Sequence, residues 1–153
     1  MSRLKKILLG LLLIFIAIQF VHPEENKSGE EQPNDFAKVF AVSGDVQSIL
    51  QNACYDCHSN NTKYPWYANV QPLGWMLARH INNGKAELNF SSFGSNSQRK
   101  QISKLKAVAN QVKDDEMPLS SYKLMHNKAR LSPQDKKLIT EWFTAMADSL
   151  QNK

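Results

Sequence analysis

Behind Arg3, Lys5 and Lys6 the chain opens with an unbroken apolar run from Ile7 to Ile18, followed by Gln19, Phe20 and Val21. A run that is apolar on every side has no polar face for water, so it does not belong to a soluble core. A basic start followed by an apolar stretch is the order of an export signal. No small-x-small cleavage site follows, since Ala17-Ile18-Gln19 is a poor substitute, and no cysteine is placed there to carry a lipid. Residues 1–21 therefore read as a signal peptide or uncleaved membrane anchor, with the anchor favoured. Fifteen residues from Ile7 to Val21 make about 22 Å of helix against a hydrocarbon layer of roughly 30 Å, a gap that snorkelling of Lys5 and Lys6 narrows. The basic end stays in the cytoplasm and the rest of the chain lies on the periplasmic side.

From His22 to Asp35 the sequence HPEENKSGEEQPND holds five acids, two prolines and a glycine. That composition is expected of a solvated chain, so residues 22–38 read as a flexible acidic tether and 39–153 as the folded domain. Beyond the tether the apolar positions fall into four helical patterns, with no alternation long enough for a sheet. The first predicts a helix over Asp45–Cys54, with Val46, Ile49, Leu50 and Ala53 on its buried face. The second starts near Pro72, places Leu73, Met76, Leu77, His80 and Ile81 on one inward stripe and stops at Gly84. A third follows Ser95–Ser97, turns Ile102, Leu105, Ala109 and Val112 to the core and ends before Met117-Pro118. Residues 117–131 read as a loop. The last opens at Ser132-Pro133 with Asp135 three residues after the cap, and Leu138, Ile139, Trp142, Phe143, Met146 and Leu150 form its apolar face. The fold class is all-α, and no internal repeat is visible.

Composition narrows the class without changing the picture. At 153 residues, 42% hydrophobic and 22% charged, the chain has room for one ordinary core. Its net charge of +5 falls to +2 without the three N-terminal basic residues, and no short tract concentrates the remainder, so nucleic acid is set aside as a partner.

The chemistry sits at the end of the first predicted domain helix. Cys54-Tyr55-Asp56-Cys57-His58 has the Cys-x-x-Cys-His spacing of c-type haem attachment. Two intervening residues let both sulfurs reach the vinyl groups on one porphyrin edge as thioethers, and the adjacent histidine then lies under the iron as proximal ligand. A disulfide is the first rival, but a bridge across so short a loop stabilises little. A zinc site needs further ligands, and His22, His80 and His126 are scattered without a second cysteine pair. A thioredoxin-like redox pair needs a strand-to-helix setting that the helical periodicity does not offer.

For the sixth ligand, Met117 is placed first. It lies 59 residues beyond His58 in the predicted loop, and thioether sulfur is a soft ligand for iron. His80 is the alternative, giving bis-histidine ligation; Met125, His126 or an open position remain. The aromatic residues Tyr64, Trp66, Tyr67 and Trp75 follow the motif closely and suit the walls of a haem pocket, with ordinary core filling as the competing use. Either Pro65 or Pro72 offers a carbonyl to the other nitrogen of His58. Lys100, Lys104, Lys106 and Lys113 read as a solvated face that could also steer an acidic redox partner.

From about Gln51 to Phe143 the chain resembles the bacterial haem-binding domain family of small exported cytochrome-c-like proteins. The matching blocks are CYDCHSNNTKYPWYANVQP, then Trp75, His80 and Gly84 in W-x4-H-x3-G, then LNFSSF, MPLSSYKLMH and LSPQDKKLITEW. The resemblance implies a cytochrome-c-like helical domain around one covalent haem c, attached at Cys54 and Cys57, with iron bound by His58 and, by analogy, Met117. The expected function is a single-haem electron-transfer protein or redox module at the periplasmic face of the inner membrane, with redox proteins as partners and no substrate of its own. A haem-based sensor with a labile distal ligand is the alternative. An enzyme ranks last, because one attachment motif and the isolated Arg79-His80 pair are all that could serve it.

Overall fold

The computed structural model describes residues 2–152, and every regular element in them is helical. The elements are α1 (Arg3–Ile18), α2 (Phe36–Val39), α3 (Gly44–Ala53), α4 (Tyr55–His58), α5 (Leu73–Glu87), α6 (Gln98–Lys113), α7 (Ser120–Met125) and α8 (Pro133–Gln151). Short 3-10 turns at Trp66–Asn69, Phe90–Ser95 and Asn127–Ala129 join them. The all-α expectation holds.

Local chemistry accounts for the helix starts. The Ser97 side chain accepts from the Lys100 backbone to open α6. At α8 the Ser132 side chain takes the Asp135 N–H while the Asp135 carboxylate takes the Ser132 N–H, the reciprocal cap expected from the sequence, with Pro133 as the first helical residue. Val46, Leu50 and Ala53 of α3, Leu105, Ala109 and Val112 of α6, and Ile139, Phe143 and Ala147 of α8 are buried at helical spacing. Helices α6 and α8 lie along one another and supply most of the apolar core.

The centre of that core is Phe36, fully buried. Its ring stacks on Phe143 at 5.6 Å and meets Phe93 and Phe90 edge-on at 5.0 and 5.2 Å. Residues 22–38, expected as a flexible tether, are therefore neither loose nor outside the domain. Asn26 and Ser28 exchange backbone hydrogen bonds with Thr62 and Asn60, Asn34 accepts from Gly94, and Asp35 caps α2 so that Phe36 enters the core. The stretch is polar because its Asn26 and Gln32 side chains bond to the domain surface, and a single phenylalanine at its end anchors it.

Two further expectations change. Helix α5 does not stop at Gly84 but runs to Glu87, and its buried residues are Gly74, Leu77 and Ile81. Leu73 and Met76 are exposed and His80 is half-buried, so the inward face is rotated from the expected stripe. Residues 117–131 are not a plain loop: α7 and the 3-10 turn at Asn127–Ala129 lie within them. Helix α1 buries none of its residues, and at 16 residues it is about 24 Å long. No helix among the described residues is long and apolar enough to cross a membrane.

Candidate functional site

Cys54 stands at a break. Its N–H closes α3 by donating to Leu50, and its carbonyl accepts from both Cys57 and His58, which winds the single turn α4. Leaving helical geometry at Cys54 redirects the chain, so one turn carries Cys57 and His58 away from the α3 axis. Helix α5 then crosses this turn at very short range. A Cβ added to Gly84 would lie 2.7 Å from the Cys57 carbonyl oxygen, closer than atoms can approach, so the crossing requires glycine. Gly84 is thus a contact residue inside a helix rather than its stop.

The crossing also places the end of α5 beside the histidine. His58 Nδ1 is 3.0 Å from the Leu88 carbonyl oxygen, and because a carbonyl only accepts, Nδ1 carries the proton and donates. The partner is neither Pro65 nor Pro72. Nε2 makes no hydrogen bond to any of the described residues, so its lone pair is uncommitted. Burial lowers the His58 pKa from its ordinary 6.5, against the Leu88 and Gly84 carbonyls, which favour the charged ring.

Both cysteines are unbridged. Burial, and then the neighbouring Cys57, push the Cys54 thiol up to about 12. Cys57 rises to about 11 through burial and then Asp56. At neutral pH both are thiols, not thiolates.

A polar clamp holds the turn from the other side. Asp56 accepts from the Tyr122 hydroxyl at 2.7 Å and from the Lys63 N–H at 3.1 Å, and its carbonyl accepts from the Thr62 hydroxyl at 2.6 Å. The Asn26 amide donates to Ser59 and Thr62, both buried. Tyr122 stacks on His126 with ring centroids 4.0 Å apart, and His126 Nε2 lies 2.8 Å from the Tyr67 hydroxyl. The phenol of Tyr122 is held above its usual range by burial and then by its bond to Asp56. In this way α7 is tied directly to Asp56, one of the two residues between the cysteines.

The expected pocket residues are dispersed. Tyr64 takes the Asn26 N–H on its hydroxyl and carries Lys27 over its ring. Trp66 is 74% exposed, and its ring meets Tyr67 edge-on. The Trp75 indole donates to the Val21 carbonyl at the end of α1. Tyr67 is the aromatic residue of this group that joins the network around the motif. His80 sits on α5 one helical turn before Gly84. Met117 is half-buried, and its N–H donates to Gln111 after Asp115 reverses the chain with a φ of 62°. Sequence reasoning missed Leu88, Asp56, Tyr122 and Asn26. Only Gly84 carried a local signal, as a glycine within a helical period, and it was read as a terminator.

A family model described as a haem-binding domain matches residues 13–145. No curated protein and no solved structure matches the chain.

Proposed function

The chain belongs to the haem-binding domain family, and on that premise we propose that it is a single-haem electron-transfer protein, with haem c held covalently by Cys54 and Cys57 and its iron by His58. The observation that carries this reading is the Nδ1–H bond from His58 to Leu88, which fixes the tautomer whose free Nε2 ligates a metal. Burial keeps that ring neutral, the form that binds. The two neutral, unbridged thiols are the groups that would hold the haem: each would add its S–H across a vinyl group, the sulfur to one vinyl carbon and the hydrogen to the other. Bound there, haem supplies a one-electron iron couple.

Met117 is the proposed distal ligand. It precedes α7, whose Tyr122 is bonded to Asp56, so its segment is tied to the motif turn by a tertiary contact. His126 is the weaker candidate because the Tyr67 hydroxyl lies against its Nε2. His80 makes no such bond and stays the rival. The protein then passes single electrons between redox partners at the periplasmic face of the inner membrane, held there by its N-terminal helix, with no substrate of its own.

The test is optical. Protein made with cytochrome maturation machinery should keep its iron porphyrin through denaturation and acid–acetone extraction, and loss of all pigment would overturn the reading. Met117→Ala should remove the weak red charge-transfer band of ferric iron–thioether ligation. Ready carbon monoxide binding by the unaltered protein would favour the sensor reading instead.

A further inference from the structure

Helix α1 ends in a clasp, not a swivel. The Gln19 side chain accepts the Gln71 N–H at 2.9 Å and donates to the Gln71 carbonyl at 3.1 Å, a reciprocal pair with the backbone entering α5. The Trp75 indole adds a third bond to Val21 at 2.8 Å. Three directional bonds at one joint fix the helix relative to the domain instead of leaving a free hinge.

The surface around that joint is apolar with a cation beside it. Phe20 is 80% exposed, Val21 is exposed, and Trp75 is 37% exposed. Arg79, one turn beyond Trp75 on the same outer side of α5, is exposed, and α5 holds no acid before Glu87. Of the two acids closest after Val21, Glu25 is paired with Lys27, while Glu24 is exposed and has no ion pair among the described residues. An indole with an apolar body and a neighbouring guanidinium is the combination that sits at a membrane–water interface and meets anionic headgroups. The patch continues an apolar helix with no buried residue, and the family match begins at residue 13, inside that helix.

We propose that the end of α1 and the outer face of α5, through Phe20, Val21, Trp75 and Arg79, form one lipid-docking surface that seats the domain directly on the bilayer. This rests on the reading that α1 stays in the membrane. It also bears on the helix's shortness: the apolar part of α1, residues 7–18, is about 18 Å long and falls roughly 12 Å short of the hydrocarbon layer, a gap that a docked interfacial end together with snorkelling lysines at the start narrows.

The full haem-loaded chain, reconstituted in vesicles of phosphatidylethanolamine and phosphatidylglycerol carrying a diazirine-bearing phospholipid, tests this after illumination and peptide mapping. Lipid adducts are expected on α1 and on residues 72–79, with none on the exposed side of α8 at Lys137 and Glu141. Gln19→Ala should lower the adducts at 72–79 several-fold and leave those on α1 unchanged. Adducts confined to α1 would overturn docking while the anchor stands. An absence of adducts everywhere would remove the anchor and docking together, and adducts spread over α8 would mean unspecific adsorption. Covalent haem staining of the same samples reports separately on the haem reading.

Discussion

Around Phe36 five aromatic rings pack with centroids 5.0 to 5.8 Å away, and none of these contacts needs a hydrogen bond. Around Cys54–Thr62 the inner side leans on the core, with Tyr55 and His58 against Phe90, but the outer side is held by directional bonds: Nδ1 to Leu88, Tyr122 to Asp56, Thr62 to Asp56, Asn26 to Ser59 and Thr62. Apolar packing is roughly proportional to area and tolerates small shifts, whereas a buried polar group is held only while its partner stays in place. The core therefore stabilises the fold, and the turn positions two thiols and one imidazole with little freedom to repack. Damage to the two regions should be separable.

The widest separation is expected from Phe36→Ala, which empties the ring cluster and should lower stability by about 3–5 kcal/mol in urea titration, while molecules that fold keep an unchanged haem spectrum. Gly84→Ala should come next. Its methyl meets the Cys57 carbonyl, forces α5 off the turn, and should cost about 1–3 kcal/mol together with reduced covalent haem per folded molecule. Gly29→Ala, which meets nothing, is the matched control. Tyr122→Phe removes one bond to a carboxylate and should cost about 1.5 kcal/mol, with the change appearing in haem content or ligand-band intensity as well as in the melt. Ser132→Ala loses the α8 cap, far from the motif in sequence, and should cost about 1 kcal/mol with no optical change.

The pH dependence should be the gentlest contrast. In the haem-free chain the folded His58 pKa lies below its unfolded 6.5, so the unfolded state binds more protons as pH falls through that region. Stability is complete above 6.5 and declines as pH drops below it, and the decline should flatten in His58→Gln. A steeper loss in the variant would reverse the assignment of His58 as a buried neutral ring.

How far the chain could be read in advance depends on the range of each interaction. The α8 cap, the α3 face and the Cys-x-x-Cys-His turn were legible because each is settled by residues within four positions of one another. The α5 face was misjudged by a fraction of a turn, because Leu73 and Met76 have the right spacing for burial and only the crossing with α4 decides which flank is covered. Phe36 was hidden inside a polar stretch because one apolar residue makes no period.

What the sequence determined alone was therefore local: the Cys-x-x-Cys-His spacing with its candidate chemistry, the starts of four of the helices, and that no sheet forms. Tertiary structure decided the rest: Leu88 as the acceptor for His58, Gly84 as the point of closest approach, Tyr122 as the clamp on Asp56, and Gln71 as the seat of α1. Those partners stand between 30 and 66 residues apart, or 27 for the Cys57–Gly84 approach. No spacing rule reaches that far, because such pairs are set by where packed helices cross.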